Sequence, residues 1–431
     1  MQADGLNQLA GRSAGRGDDG DPFPGRSNNT AFTLKSKPSS QSYARLDTGV
    51  SITNISASGA NVTMDIGDPS PTFSPVYSQG EPGHGIGGYN LRSTADLSFP
   101  FDYTSSGKLD HIVLYRPGTG TCWILANNRG SFSPVYAQGD PGNGIGGYDL
   151  ASGADCGLAF DYDSSGKLDH LVFYRPGRGA IFIIKRNGSG FSPVYAKGDD
   201  GSFSGIGGYD LRSPADRIFA YDYNSSGRMD HLCCYRPGTG TMWILRQANG
   251  VFTQVYAQGD PGQGIGGYDL KSPHDRAFAF DWNSSGKMDH IALYRPGTGT
   301  FWCLRNQSGA FSPALSVGDP GSGIGGYDLK SRADVAFAYD WDHSGKKDHV
   351  ALYRPGTGTF WVLKHLDNGP NFSAVYNQGD PGIGVGGYDL KSAADKMYAF
   401  DYDHSGKEDY LVCYRTSGTG TIWILKRVWA D

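Results

Sequence analysis

The stretch FSPVYAQGDPGNGIGGYDLASGADCGLAFDYDSSGKLDHLVFYRPGRGAIFIIK, residues 132–185, decides the fold, because it is one of six copies of the same unit. Its opening pentapeptide, or a close variant, starts at Phe73, Phe132, Phe191, Phe252, Phe311 and Phe372, at intervals of 59, 59, 61, 59 and 61 residues. Each copy contains four β-rich runs bounded by Gly, Pro and Ser clusters, and none has a sustained helical period. In the first copy the runs fall at residues 74–77, 97–101, 111–115 and 121–125. A four-stranded unit of this size cannot bury both faces alone, and six of them solve the problem by stacking radially. The expected fold is therefore all-β: a six-bladed β-propeller of four-stranded blades over residues 69–431. The array opens on the strand at Phe73 and ends after the strand at Leu425, so the N-terminal repeat strand is expected to complete the last blade.

Composition agrees with a packed β protein. Glycine is 65 of 431 residues, about twice the ordinary share, while aromatics reach 13% and hydrophobics 38%. Disorder and collagen are excluded. The formal net charge of −5 implies neither nucleic acid nor membrane insertion as a partner. No run approaches the ~20 apolar residues of a membrane helix. The start MQADGLNQLA lacks a basic segment followed by an apolar one, so no signal peptide is expected there.

The six cysteines read as packing residues. Cys234 and Cys413 stand where another copy has Leu114, Cys233 where one has Val113, Cys303 where one has Ile244, and Cys122 where others have Met242 and Phe301. Cys156 stands where other copies carry Arg217 and Arg276.

The strongest chemical motif is the aspartate loop between the second and third runs. Asp161, Asp163, Ser165, Lys167 and Asp169 alternate around Gly166, and oxygen ligands at positions 1, 3, 5, 7 and 9 with glycine at 6 suit a hard cation such as Ca²⁺. Equivalent sets are Asp102, Thr104, Ser106 and Asp110; Asp222, Asn224, Ser226 and Asp230; Asp281, Asn283, Ser285 and Asp289; Asp340, Asp342, Ser344 and Asp348; and Asp401, Asp403, Ser405 and Asp409. The loops with more aspartates are favoured and the Thr104 loop is the weakest, because affinity tracks ligand charge. The alternative is a metal-free turn in which Asp and Ser bond the loop's own amides. The histidine that follows (His111, His170, His231, His290, His349, with Tyr410 last) is expected to pack rather than bind zinc.

A second set of repeated side chains suits a sugar. Tyr89, Tyr148, Tyr209, Tyr268, Tyr327 and Tyr388 offer aromatic faces, Asp149, Asp210, Asp269, Asp328 and Asp389 (Asn90 in the first copy) offer acceptors, and Arg116, Arg175, Arg236, Arg295, Arg354 and Arg415 offer donors. The alternative for the same residues is structural, with tyrosine packed under a long loop and Asp and Arg forming a repeated ion pair. Trp123, Trp243, Trp302, Trp361 and Trp423, with Phe182 in the second copy, are expected in the core.

The position of the aspartate loop within a four-stranded repeat resembles the FG-GAP or VCBS blades of integrin α-chain propellers, whose loops run DxDxDGxxD. Residues 73–431 are more closely similar to integrin-like propeller lectins of the Psathyrella velutina type, in which a GGW segment precedes the calcium loop. Here the segment is Gly146-Gly147-Tyr148, and the copies number six rather than seven. The resemblance implies structural calcium and multivalent binding of glycans or glycoproteins outside the cell. The other reading is an adhesion or scaffold propeller with a protein partner.

Residues 1–68 do not repeat. QADGLNQL followed by GRGDDGDPFPG resembles the end of the catalytic domain of immune-inhibitor-A-like secreted metallopeptidases, which gives a Gly/Asp-rich segment over 1–48 and a β-hairpin linker over 49–68. No histidine is followed by glutamate, so the HExxH zinc helix of that family is absent. Sixfold repetition of one inventory also lacks the asymmetry of a catalytic constellation, so the chain is expected not to be an enzyme. Arg16-Gly17-Asp18 spells the integrin-recognition tripeptide within that segment, and eight Asn-x-Ser/Thr sequons, including those at Asn224 and Asn283, would matter in a eukaryotic secretory pathway.

Overall fold

The computed structural model describes residues 23–33, 36–40, 50–57, 59, 61–67, 71–198, 205–366 and 371–429. The chain falls into two units, residues 1–73 with 428–431, and residues 74–427. In the first, β1 (Ser51–Thr53) pairs antiparallel with β2 (Asp65–Gly67), Ile52 lying opposite Ile66, and Phe32 bridges Ile52 on the other side. The peptidase-like residues 1–22, with the Arg16-Gly17-Asp18 tripeptide, lie outside the described residues.

The second unit is a β-propeller of six four-stranded antiparallel blades, and among the described residues there is no helix. The strand β3 (Pro71–Ser78) precedes the first blade. Blade 1 consists of β4 (Leu97–Phe101), β5 (His111–Arg116), β6 (Thr121–Asn128) and β7 (Ser131–Ala137). Blade 2 consists of β8 (Cys156–Phe160), β9 (His170–Arg175), β10 (Ala180–Asn187) and β11 (Gly190–Lys197). Blade 3 consists of β12 (Arg217–Tyr221), β13 (His231–Arg236), β14 (Thr241–Ala248) and β15 (Val251–Ala257). Blade 4 consists of β16 (Arg276–Phe280), β17 (His290–Arg295), β18 (Thr300–Gln307) and β19 (Ala310–Ser316). Blade 5 consists of β20 (Val335–Tyr339), β21 (His349–Arg354), β22 (Thr359–His365) and β23 (Phe372–Asn377). Blade 6 consists of β24 (Asp395–Phe400), β25 (Tyr410–Arg415), β26 (Ile422–Trp429) and, as its outer strand, β3. The first repeat strand thus closes the last blade, as its phase in the sequence predicts.

Burial follows radial position. The first strand of each blade adjoins the first strand of the next, so these six short strands surround the axis. The second strands, such as HIVLYR of β5, are buried at every residue because blades cover both faces, which is why they read as unbroken apolar runs rather than alternating ones. The outer strands are half exposed and carry Pro75, Pro134, Pro193 and Pro313, a residue tolerated at a sheet edge because it has no N–H to offer.

Adjacent blades are tied by a device at the tyrosine before the arginine that ends each second strand, in YRPG of blades 1 to 5 and YRTS of blade 6. The Tyr174 hydroxyl accepts the backbone N–H of Ile218 in the next blade at 3.1 Å, and Tyr235, Tyr294, Tyr353 and Tyr414 accept from Ala277, Ala336, Met397 and Ser98 in the same way. The last of these joins blade 6 to blade 1. An inner strand has no backbone partner on its axial side, so a phenol from the neighbouring blade satisfies an otherwise orphaned donor.

Candidate binding sites

At one end of each blade the second strand ends in an arginine that gathers the loop leading into the blade. In blade 3, Arg236 forks onto Asp216, with Nε to Oδ1 at 2.8 Å and an Nη to Oδ2 at 3.0 Å. Asp216 is fully buried and also accepts the Tyr209 hydroxyl at 2.6 Å and the Ser213 N–H at 2.9 Å. Arg236 further donates to Asp210 at 2.6 Å and to Asp260, and its guanidinium lies 5.6 Å from the Tyr209 ring centre. Asp216 accepts four hydrogen bonds, two at each oxygen, and Arg236 serves three carboxylates, which lets so many charges sit together under a loop.

The hub recurs around the ring. The buried acceptor is Asp96, Asp155, Asp275, Asp334 or Asp395 in the other blades, each forked by its own arginine. The outer acceptor is Asn90 in blade 1 and Asp149, Asp269, Asp328 or Asp389 elsewhere. A third carboxylate comes from the turn after the outer strand: Asp140, Asp319, Asp380, and Glu81 for blade 6. The matching residues of blade 2 fall within 199–204, outside the described residues.

This geometry places the sequence-predicted tyrosine, aspartate and arginine together within each blade. The six tyrosine rings are only 3% exposed, and each hydroxyl is committed to the buried aspartate. Burial and the adjoining Asp216 push the Tyr209 phenol far above its ordinary value. Asp210 stays below the ordinary carboxylate value: desolvation opposes ionisation, but the Arg212 amide and the Arg236 guanidinium outweigh it. The outer carboxylates remain about half exposed, Asp210 at 48% and Asp260 at 45%. The tryptophans are partly buried, edge-on to the hub tyrosine (Tyr209 to Trp243, 6.0 Å between ring centres), and the Trp243 Nε1 donates to the Gln258 carbonyl at 2.6 Å. The tight GIGGY turn above them requires glycine: at Gly205, with φ near +58°, an added Cβ would lie 1.8 Å from the Tyr209 carbonyl oxygen.

The aspartate loops lie between the first two strands of each blade. In all six, the position-1 aspartate accepts two loop amides: Asp161 takes Ser165 N at 2.8 Å and Gly166 N at 2.7 Å. The others, Asp102, Asp222, Asp281, Asp340 and Asp401, do the same. These are the bonds of a metal-free turn, and they leave further lone pairs open. The position-9 aspartate lies against the following histidine, as in Asp230 to His231 Nδ1 at 2.7 Å. Those histidines are buried beside their aspartates, in packed positions.

The loops also touch one another. Ser105 of blade 1 bonds Asp169 of blade 2, and with His170 it holds that carboxyl down at about 2 against desolvation. Blades 5 and 6 carry histidine in place of this serine: His343 Nδ1 meets Asp409 at 2.5 Å and His404 Nδ1 meets Asp110 at 2.8 Å. Blade 6 has Tyr410 where the others have histidine, and the buried Asp409 Oδ1 has no hydrogen-bond partner. Burial, with Asp342 and Asp409 nearby, pushes Asp340 up to about 7. Among the described residues, donor atoms converge within 4.8 Å in two loops, at Asp163, Asp169 and His170 and at Asp342, Asp348 and His349. Lys185 already neutralises the first, bonding Asp163 at 2.8 Å. In the second, Lys364 lies farther off, 3.8 Å from Asp342.

Sequence reasoning did not single out the fully buried aspartate, the aspartate of the DPG turn, or the tyrosine of YRPG as site or interface residues. The signal for all three was their recurrence in the repeat. The six cysteines are free, and Cys156 is the one that is not fully buried.

No family model matches the chain, and no curated protein matches it. Solved structures do match at the level of the fold. The periplasmic gluconolactonase PpgL of Pseudomonas aeruginosa is 11% identical with a TM-score of 0.34, covering 81% of this chain and 87% of that one. An auxiliary nutrient binding protein from Bacteroides thetaiotaomicron is 8% identical with a TM-score of 0.43, covering 88% and 83%. A functionally unknown protein from Desulfotomaculum acetoxidans is 11% identical with a TM-score of 0.37, covering 77% and 84%. The expectation that the chain is not an enzyme is corrected at this point. One fold hosts many functions, so a repeated side-chain inventory is no ground for excluding catalysis, and the likeness to these structures shows the fold alone.

Proposed function

We propose that the propeller binds carbohydrate multivalently, with one weak site per blade at the arginine hubs. The observation that carries this reading is the recurrence, in blades 3 to 6, of paired half-exposed carboxylates fixed by a buried arginine beside a partly buried tryptophan. Vicinal sugar hydroxyls would donate to the pair, and the exposed part of the indole would take the apolar face of the ring. The tyrosine and arginine act as positioning groups, because their polar atoms are already engaged. Six weak sites on one rigid ring would gain avidity of about 10² or more on a surface that displays several sugars.

In this reading Ca²⁺ serves a structural role in the aspartate loops, first in blade 5, where Asp340, Asp342 and Asp409 concentrate negative charge that a cation would relieve. The likeness to FG-GAP and integrin-like lectin propellers supports calcium and sugar binding, and with the peptidase-like N-terminal segment it supports a secreted, extracellular setting and glycans or glycoproteins as partners.

A glycan-array screen of the full chain in calcium, beside a chelator-treated sample, tests the reading. Selective binding that is displaced by free monosaccharide is the expected result. A blank array from folded protein would replace the lectin with a protein-binding scaffold.

A further inference from the structure

The blades are alike at their hubs and unlike at one level of the axis. The residue on each innermost strand paired in register with the tyrosine near the end of the second strand is Leu97, Cys156, Arg217, Arg276, Val335 and Lys396 in turn. Because the innermost strands adjoin around the axis, these six positions form one ring. Three of them are cationic, on blades 3, 4 and 6, and all six side chains are only partly buried.

The three cations lack the partners that the hub arginines have. The aspartates beside them in sequence, Asp216, Asp275 and Asp395, are forked by Arg236, Arg295 and Arg415. Arg217 donates only to backbone carbonyls, of Pro214 at 3.3 Å and Asp216 at 2.9 Å. Among the described residues, no carboxylate lies within ion-pair distance of Arg217, Arg276 or Lys396. Burial pushes the Cys156 thiol up, and Arg217 of the adjacent blade 3 and Lys396 of blade 6 both oppose that rise. Burial lowers Lys396 from its ordinary value despite the opposing influence of Asp96, as expected for a cation short of counter-charge.

We propose that this level of the axial channel is a single binding site for a small multivalent oxyanion, a molecule bearing a phosphate or several carboxylates, held by Arg217, Arg276 and Lys396. Guanidinium groups present planar forks that match such oxygens two at a time, and the ammonium adds a point charge. The site goes beyond the six rim sites: it occurs once per molecule and lies where the repeat departs from its own pattern.

The fold itself supplies conservative test variants, because blade 1 has leucine and blade 5 valine at the same position. The full chain, its Arg276→Leu and Lys396→Val variants, and Lys271→Gln, an exposed rim cation, would be titrated calorimetrically with inorganic phosphate and with citrate. In parallel, the reaction of Cys156 with an anionic aromatic disulfide and with a neutral maleimide would be timed. The expected results are one-to-one binding of phosphate, citrate or both, each channel variant weakening it about tenfold, Lys271→Gln leaving it unchanged, and bound anion slowing the Cys156 reaction. The anionic reagent should also lose its rate advantage in the channel variants while the neutral one does not. Absence of both heat and thiol protection at about 10 mM anion, or equal binding by wild type and both channel variants, would overturn the proposal. Binding by phosphate alone or citrate alone supports it and identifies which oxyanion the site takes.

Discussion

The hydroxyl of Tyr174, on the second strand of blade 2, accepts the backbone N–H of Ile218, on the first strand of blade 3, at 3.1 Å. Removing that oxygen leaves a buried amide without a partner while changing the packing little. Tyr174→Phe should cost about 1–3 kcal/mol in urea unfolding. An unchanged midpoint would mean that water reaches the amide and that the blades are not joined there.

The arginine hub predicts a larger loss. Arg236→Ala strands the fully buried Asp216, with Asp210 and Asp260 beside it, and should destabilise by about 3–5 kcal/mol. Arg236→Lys should recover only a small part, since an ammonium cannot fork both carboxylate oxygens. Denaturant unfolding of both variants checks this, and full rescue by lysine would show that charge alone matters.

Asp340 gives a pH dependence with a definite sign. Its folded-state value, about 7, lies above the ordinary 3.8, so ionisation is harder in the folded protein than in the unfolded one. Its favourable contribution is complete below the ordinary value and is lost as pH rises through 7. In chelator, the melting temperature of wild type relative to Asp340→Asn should fall between pH 5 and pH 8. Parallel curves for the two proteins would remove Asp340 as the source. If the blade 5 loop takes calcium, added calcium should raise the wild-type value at pH 8 and have little effect on the variant.

Closure by β3 makes the ring depend on its first strand. Deleting residues 73–77 uncovers β26 along its whole outer edge and should lower the melting temperature of all six blades together. A truncated protein that melts like the full chain would refute a cooperative ring.

The strands, the number of blades and the closure were legible in the sequence because the unit repeats six times and each strand is bounded by turn residues. The tie from Tyr174 to Ile218 was not, since an inner-strand amide has no signature of its own and its partner comes from the preceding unit. Asp216 was visible as a repeated aspartate, but only the structure shows that it collects Tyr209, Ser213 and Arg236 at once. The tryptophans were assigned to the core on strand position, yet the glycines above them leave part of each ring open. The equivalence of Cys156 with Arg217 and Arg276 was plain in the alignment of repeats. Its meaning depended on the channel, which no linear pattern encodes.

Giving the first strand to the last blade also bears on how the chain can be made. During synthesis β3 emerges more than three hundred residues before β26, the strand it will pair with. For that interval it is an unpaired β-strand in a crowded compartment, free to attach to the exposed edge of another nascent copy. Pro75, in the middle of β3, withholds one of the N–H groups that such a stray pairing would use. The same residue in the finished ring lies on the outer edge of blade 6, so a single proline guards the strand both before and after it finds its place.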